Sequence, residues 1–368
     1  MSSFEGPPDD RPVDPSAEAA TDPANTGSTL PEPLRPADPG PTPAVAGPPI
    51  TTRPGTGTFT IEGRAAPALF VVGWLGTVLG FGVLAVAILA GGGLQATALF
   101  ILALVLLAVG LIAAAGSQGI ERRARATLPY QGPSPFLVFA ATVPVSVLII
   151  IVLSIPLALL NVDLGGPVGA LLSVTVQALV YVGLVRLLVV DTGALSWLEM
   201  RVLPFDRAAL AAMAGGALWA IPVIFVTAIV AQILLSIFPV EPTSPLPPTG
   251  TAIGFILSFV AGVLVAPFGE EVLFRAFATT AWARGVGRRR ALVVGALFFA
   301  FAHVLTITGA SAGDAFGLAV VAFAGRIPVA LALGWLFLRR NTIWASFGLH
   351  AAFNGVLLVL AEVASRTL

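Results

Sequence analysis

The sequence is poor in charged residues and contains no cysteine. Charged residues occupy 10% of its 368 positions, whereas a soluble domain carries roughly 25%. The absence of cysteine excludes thiol chemistry. The formal net charge is zero, so the chain offers no basic footprint for a nucleic acid partner. With 57% hydrophobic residues, the composition predicts an integral membrane protein that lies in the lipid bilayer.

Lysine is also absent, so all 19 basic residues are arginine. Alanine, glycine, valine and proline are abundant at the same time. This bias indicates a genome of high G+C content and therefore a bacterial source. We expect a multi-pass protein of the bacterial cell membrane.

The first 65 residues have a different composition from the rest of the chain. They are rich in proline and in acidic residues. Proline supplies no backbone donor, and few apolar groups are available to offset the entropy of ordering. A disordered tail is therefore predicted for residues 1–65. Two transmembrane regions are predicted to follow it, at 66–207 and 208–368.

Apolar segments long enough to cross a bilayer recur from Ala66 onward. The predicted fold is an all-α polytopic bundle of about nine transmembrane helices, with eight as the alternative. The predicted spans are 68–90, 96–115, 136–160, 167–190, 208–239, 253–281, 291–307, 315–338 and 342–364.

Arginine falls on alternate connections between these spans. The connections at 121–126, 199–207, 283–290 and 339–340 contain arginine, and the connections between them contain none. Arginine is enriched in cytoplasmic loops of membrane proteins. We therefore expect the N terminus and these four arginine-bearing connections on the cytoplasmic side.

Few ionisable side chains lie inside the predicted spans, where a charge costs several kcal/mol and therefore suggests a function. Glu270, Glu271 and Arg275 share one span, and the chain's only histidines, His303 and His350, lie in two others. This concentration of polar groups in the C-terminal half predicts a functional site.

Helical spacing relates these residues to one another. Glu271 precedes Arg275 by four positions, which is the favourable order for an ion pair. Glu270 is turned about 100° away from its neighbour, so the two glutamates are expected to have different roles. His350 and Asn354 are four positions apart and share a helix face.

Depth along the helices places the polar residues in one layer. At 1.5 Å per residue, Glu270 and His303 lie roughly 18 and 20 Å from the 283–290 connection. By the same measure, His350 and Asn354 lie about 12 and 18 Å from the next arginine-bearing connection. The sequence thus predicts a common polar pocket nearer the cytoplasmic side.

Arg326 is the charged residue in the middle of the predicted span 315–338. Two hypotheses remain open for it. It can be a structural partner of Glu271 or of backbone carbonyls, or it can contact a carboxylate of a substrate.

A carboxylate, two imidazoles and a carboxamide are suited to hydrolysis. A carboxylate can take a proton from water, and an imidazole can position that water. A second imidazole and an amide can donate hydrogen bonds to a developing oxyanion. An adjacent ion pair can brace the site, because an unpaired charge there would be costly.

Three short motifs carry a family resemblance: "EEVLFR" at 270–275, "FAFAH" at 299–303 and "HAAFN" at 350–354. In this order they resemble the CAAX prenyl protease 2 / bacteriocin-processing (Abi, CPBP) family of intramembrane proteases. The resemblance covers about residues 253–358. It implies an endopeptidase that hydrolyses a peptide bond of a membrane-associated protein or peptide. A bacterial source argues against a prenylated substrate.

The resemblance also implies roles for four residues of these motifs. Glu270 would activate the water, and His303 would help to hold it. His350 and Asn354 would form the oxyanion hole.

The remaining motif residues, Glu271 and Arg275, would support the architecture of the site. The family has also been described as metal-dependent. We favour a glutamate-activated water without a cofactor, with zinc as the alternative. Glu270, His303 and His350 would then be its ligands, and such a set is the minimum for a catalytic zinc site.

Other functions are compatible with parts of the sequence. "GASAG" at 309–313 matches the GxSxG motif and would make Ser311 a serine nucleophile. Buried Glu, Arg and His also build ion or proton pathways in transporters. A family member kept for immunity or scaffolding, without catalysis, is a further alternative.

Overall fold

A computed structural model describes residues 60–126, 128–241, 248–305 and 307–367. These residues form helices and turns and contain no strand, which confirms the predicted all-α fold. The helices are α1 Pro67–Leu89, α2 Gly93–Arg125, α3 Pro135–Leu159, α4 Pro167–Val190, α5 Arg207–Ile237, α6 Ala252–Val286, α7 Arg288–Ala302, α8 Ala312–Arg340 and α9 Ile343–Thr367. Residues 1–59 of the predicted disordered tail lie outside the described residues. The division into two transmembrane regions, with its boundary between residues 207 and 208, stays a prediction.

Eight of these helices are long and apolar enough to cross a membrane, and α7 is the exception. The chain is therefore an integral, multi-pass membrane protein. The count agrees with the lower of the two numbers predicted from the sequence. The segment predicted as a span at 291–307 accounts for the difference between nine and eight. Its helix, α7, has only 15 residues and ends at Ala302.

Helix α7 covers roughly 22 Å at 1.5 Å per residue, less than the 30 Å of a typical hydrocarbon core. Its last residue is followed by His303, which caps the helix, and by a turn at 303–305. Irregular backbone at membrane depth is tolerated where it is buried in protein or lines a cavity. The short helix therefore leaves His303 at a helix end inside the bundle, whereas the sequence predicted it within a span.

The arginine-bearing connections meet at one end of the bundle, which we call the arginine face. Glu199 Oε1 lies 2.7 Å from Arg284 Nη2, and the backbone N–H of Ile343 donates to the carbonyl of Arg201 at 3.1 Å. These contacts support the predicted alternation of arginine. Which side of the membrane the arginine face meets stays a prediction. Two further hydrogen bonds join the same regions, from Arg123 to the Thr192 carbonyl and from Arg288 to the Leu338 carbonyl.

Helix α6 is irregular at the residues that carry the predicted site. Two π-helical stretches, Val260–Val265 and Glu271–Thr279, flank a short α-helical stretch, Ala266–Glu270. In the second stretch the Thr279 hydroxyl donates to the Phe274 carbonyl five residues earlier, at 2.8 Å. Such π-helical turns occur frequently at functional sites. They also change the rotation from one residue to the next, so α6 departs from regular helical spacing.

Close contact between α4 and α6 depends on a glycine. A Cβ atom added to Gly269 would lie 2.7 Å from the Cβ of Ala178, which is too close for any side chain. Gly269 directly precedes Glu270. The glycine therefore lets α6 approach α4 at the level of the predicted site.

Candidate active site

Glu270 faces both histidines of the chain. Its Oε2 atom lies 3.8 Å from His303 Nε2 and 3.6 Å from His350 Nε2. The three residues come from α6, from the end of α7 and from α9, so the structure brings together the side chains that the depth argument placed in one layer. Within the described residues, Glu270 Oε2 is buried and has no hydrogen-bond partner. Of the six buried side-chain atoms without a partner in the described residues, four belong to Glu270, Glu271 and Arg275, so the unsatisfied polar groups cluster at this site.

Glu271 lies behind His350 and is completely buried. Its Oε1 atom lies 2.9 Å from His350 Nδ1 and 3.3 Å from Arg275 Nη1. The structure thus contains the predicted ion pair with Arg275 and adds a contact with His350 that was not predicted. A carboxylate only accepts hydrogen bonds, so His350 Nδ1 is the donor. This bond fixes the orientation of the imidazole and turns its Nε2 toward Glu270.

Phe299 packs against three members of the site. The Arg275 guanidinium lies 4.0 Å from the centre of the Phe299 ring, as in a cation–π contact. The ring centres of His303 and His350 lie 4.5 and 5.8 Å from the same ring. The Phe299 carbonyl also lies 2.8 Å from His303 Nδ1. The aromatic residue of the FxxxH motif therefore positions both histidines and the guanidinium.

Asn354 lies one helical turn beyond His350 and is engaged with α6. Its Nδ2 donates to the carbonyl of Gly262 at 2.8 Å. Gly262 belongs to the first π-helical stretch, where the backbone leaves the regular α-helical pattern. This bond uses one of the two amide protons. The structure shows no described contact between Asn354 and Glu270, so its role as an oxyanion donor remains a proposal.

Two further residues surround Glu270 at a longer range. Arg326 on α8 interacts electrostatically with Glu270 and His303, and its Nη1 donates to the carbonyl of Ala322 at 3.0 Å. The backbone contact is one of the structural partners considered from the sequence. Tyr181 on α4 is buried, and its ring centre lies 6.3 Å from that of Phe274 on α6. Sequence reasoning missed Tyr181 because its helix lies outside all three motifs.

The described residues contain no group of three or more His, Asp or Glu side chains that could hold a metal ion. The alternative zinc ligands Glu270, His303 and His350 are close together. Glu270 Oε2 lies 3.6 and 3.8 Å from Nε2 of the two histidines, and Nδ1 of His350 is bonded to Glu271, as in histidines that bind zinc. Zinc therefore stays the alternative to a metal-free mechanism, and no step below depends on a metal.

Ser311 has a structural contact that accounts for its position. It is the N-cap of α8, where its hydroxyl accepts from the backbone N–H of Asp314 at 3.1 Å and donates to Asp314 Oδ2 at 2.9 Å. Serine is a preferred N-cap residue for this reason. The GxSxG motif therefore lies at a helix start rather than at the strand–turn–helix elbow that its chemistry requires.

The fold and the buried cluster define a class, namely polytopic helical membrane proteins with an ionisable site inside the helix bundle. Comparison with protein families narrows this class. Residues 252–356 match the model of the Rce1-like family, described as type II CAAX prenyl endopeptidase Rce1-like. The chain therefore carries an Rce1-like domain over these residues, which supports its assignment to the CAAX endopeptidases and to the peptidases. Searches among curated proteins and among solved structures gave no match.

The matched segment contains every residue predicted for the site. It begins with α6 and ends within α9, so it also includes α7 and α8. Helices α1 to α5 lie outside it. The family match thus agrees with the extent of 253–358 that the motifs predicted.

Proposed function

We propose that the protein is an intramembrane endopeptidase in which Glu270 activates the attacking water. The observation that carries this proposal is the Oε2 atom of Glu270, which is buried, faces both histidines and lacks a protein hydrogen bond. A buried carboxylate oxygen without a partner costs free energy, and Glu270 Oε2 is the unpartnered oxygen that faces the two histidines. A site that binds and deprotonates water accounts for it.

The reaction takes place in two steps, attack of the water and collapse of the tetrahedral intermediate. The water oxygen bonds to the scissile carbonyl carbon, its proton passes to Glu270, and the carbonyl oxygen becomes an oxyanion. His303 holds the water through a hydrogen bond. When the tetrahedral intermediate collapses, the C–N bond breaks and Glu270 returns the proton to the leaving amine.

His350 and Asn354 would stabilise the oxyanion by donating hydrogen bonds. Because His350 Nδ1 already donates to Glu271, its Nε2 can donate only in the imidazolium form. Glu270 and Glu271 together would balance the charges of His350 and Arg275, and the bond from Nδ1 to Glu271 would support the imidazolium as a carboxylate does in a serine protease. Asn354 would use the amide proton that is not bonded to Gly262.

The substrate is proposed to be a membrane-associated protein or peptide that is cleaved near the cytoplasmic surface. The depth of the site below the arginine face and the cytoplasmic preference of arginine support this orientation. A leader peptide, the tail of a membrane protein or a bacteriocin-like peptide would have this character.

The function can be tested with purified protein in proteoliposomes and a panel of lipid-anchored, quenched-fluorescent peptides. Hydrolysis in ¹⁸O-labelled water should place the label in the new C-terminal carboxylate of the product. Activity should survive prolonged chelation, with no metal found by elemental analysis. Loss of activity on chelation and its return with zinc would contradict the metal-free mechanism. Proton or ion flux without cleavage of any peptide would favour a transporter.

The oxyanion donors can be tested separately on the same peptides. Asn354→Ala should reduce kcat on the order of 10²–10³-fold while slow turnover remains, because one donor is lost. Ser311→Ala is the control and should leave kcat unchanged, since its hydroxyl caps α8. Unchanged kcat in Asn354→Ala would remove this residue from the oxyanion hole.

A further inference from the structure

Arg326 is a charged residue in the middle of the membrane-spanning helix α8. It lies 14 positions from each end of this helix, at Ala312 and Arg340. At 1.5 Å per residue this is roughly 21 Å from the arginine face, similar to the roughly 18 and 20 Å of Glu270 and His303. Half of a hydrocarbon core is about 15 Å thick. Arg326 thus lies in the same layer as the proposed active site, and its charge has to be balanced within the bundle.

The described residues do not balance this charge by an ion pair. The Nη1 atom of Arg326 donates to the carbonyl of Ala322 at 3.0 Å, and no other described residue lies within hydrogen-bond or ion-pair distance of the guanidinium. Ala322 belongs to the same helix, where its carbonyl also accepts the backbone N–H of the residue four positions later. The contact therefore joins no two helices. Arg275, by contrast, lies 3.3 Å from the Glu271 carboxylate.

The free edge of the Arg326 guanidinium is suited to a carboxylate. A guanidinium has five N–H donors in a planar fork, and the Ala322 carbonyl accepts from one of its nitrogens, Nη1. The Nε and Nη2 atoms are not among the buried atoms that lack a partner, and the residue is only partly buried. These two atoms are therefore open to a ligand. Two parallel N–H groups of an arginine bind the two oxygens of a carboxylate together.

The guanidinium lies close to the proposed base without pairing with it. Arg326 interacts electrostatically with Glu270 and with His303, and α8 packs against α6 and α7. In the proposed mechanism, the two glutamates already balance the charges of His350 and Arg275. Arg326 is therefore the remaining positive charge of the site, and a carboxylate bound to it would lie near the scissile bond.

We propose that Arg326 binds a carboxylate of the peptide substrate and thereby selects peptides that carry one near the scissile bond. This inference rests on the proposed peptidase function and adds a substrate class to it. The carboxylate belongs to the C terminus of the peptide or to an Asp or Glu side chain, because both present the same pair of oxygens. A neutral analogue leaves the guanidinium unpaired within the membrane, and a site that loses such a bond discriminates strongly between substrates.

Three lipid-anchored, quenched-fluorescent peptides of one sequence test the proposal, each with its scissile bond a few residues from the C terminus. The first ends in a free carboxylate and the second in an amide. The third also ends in an amide and has a glutamate in place of a glutamine beside the scissile bond. Wild-type kcat/KM should be on the order of 10–100-fold higher for the first or the third peptide than for the second. The peptide that is preferred identifies the source of the carboxylate.

Arg326→Gln should abolish this preference, mainly through a higher KM for the preferred peptide, because a binding contact is lost. The thermal midpoint should not change, since the described contact of the side chain lies within α8. Arg326→Lys keeps the charge without the fork and should retain part of the preference. Arg340→Gln is the matched control, because it removes an exposed arginine at the end of the same helix, and it should cleave all three peptides like the wild type.

Binding measurements distinguish a failure of this inference from a failure of the proposed function. Glu270→Gln should leave the peptides intact, so that fluorescence anisotropy gives their Kd. The peptide with the preferred carboxylate should bind on the order of 10–100-fold more tightly than the second peptide, and Glu270→Gln/Arg326→Gln should bind both equally. If the wild type cleaves no peptide but this dependence on Arg326 persists, the peptidase proposal fails and the carboxylate site stands.

Two results would overturn the proposal. Equal kcat/KM of the wild type for all three peptides, with equal Kd in Glu270→Gln, would show that no carboxylate is bound. An equal loss of activity toward all three peptides in Arg326→Gln, together with a lower thermal midpoint, would make the arginine a structural residue. If Arg326→Gln does not fold, Arg326→Lys serves in its place, and an undiminished preference in that variant would count against the bidentate contact.

Discussion

At the scale of single residues, His350 connects two glutamates that have different surroundings. Glu271 is completely buried, bonds to Nδ1 and is paired with Arg275. Glu270 is 16% exposed in its side chain and faces Nε2 of both histidines. The first carboxylate orients the imidazole, and the second is available to a substrate water. Adjacent positions in the chain thus hold one positioning residue and one proposed base.

Substitution of Glu271 separates its two roles. Glu271→Ala should destabilise the protein by roughly 3–5 kcal/mol, because it leaves the Arg275 guanidinium buried without a partner. Glu271→Ala/Arg275→Met should recover much of this stability, since the unpaired charge is removed as well. The double variant should still lose kcat on the order of 10²-fold or more, because His350 lacks the acceptor that orients its ring.

Thermal unfolding and peptide cleavage, measured on the same samples, distinguish these effects. Full recovery of kcat together with stability in the double variant would mean that Glu271 only braces Arg275. In that case the hydrogen bond between Glu271 and His350 would have no role in the reaction.

The sequence predicts part of this arrangement. The ion pair between Glu271 and Arg275 followed from their spacing and their order. The bond between Glu271 and His350 did not, because it joins α6 to α9 and depends on the π-helical turns after Glu270. The contact of Asn354 with the Gly262 carbonyl was missed for a similar reason, since a regular helix has no accepting carbonyl to offer at that position.

At the scale of helices, the position of α6 against α4 determines where the proposed base lies. Gly269 packs on Ala178 without room for a methyl group. The next residue is Glu270, so a displacement of α6 here would move its carboxylate relative to both histidines. Antiparallel helices could have placed Glu270 and the two histidines at opposite depths in the membrane. The distances between their side chains show that the three residues lie together.

Gly269→Ala should therefore lower both thermal stability and kcat, because the added Cβ would lie under 3 Å from Ala178. Overpacking of this kind costs about 1–3 kcal/mol. Gly285→Ala is the matched control, since it lies in the same helix and its Cβ would meet no atom within 4 Å. It should be neutral or slightly stabilising, because alanine favours helix more than glycine. Equal behaviour of the two variants would show that the contact with α4 does not position Glu270.

At the scale of the whole molecule, the arginine-bearing connections lie together at one end of the bundle. Their alternation along the chain was predictable, because each span reverses the direction of the backbone. The length of α7 was not predictable, since residues 303–307 continue the apolar pattern beyond the end of the helix. The sequence thus left the number of full spans ambiguous. It did predict which connections lie together at one end of the bundle.

Reporter fusions test the orientation of this face. Fusions after residue 65 and at 286 should report the cytoplasm, because positive charge is retained on that side. A fusion at 245, in a connection without arginine, should report the opposite side. A non-cytoplasmic signal at 286 would invert the protein and place the arginine face and the proposed site near the outer surface.

The central claim is that Glu270 is the base that activates water, and Glu270→Gln tests it most directly. The change keeps the size and polarity of the side chain and removes its capacity to take a proton. Cleavage of a peptide that the wild type hydrolyses should fall on the order of 10²–10⁴-fold, with an unchanged thermal midpoint. Glu362→Gln is the matched control, because Glu362 is a buried glutamate of α9 that bonds to Thr249 away from the site, and it should retain activity. Near-normal cleavage by Glu270→Gln would contradict the account.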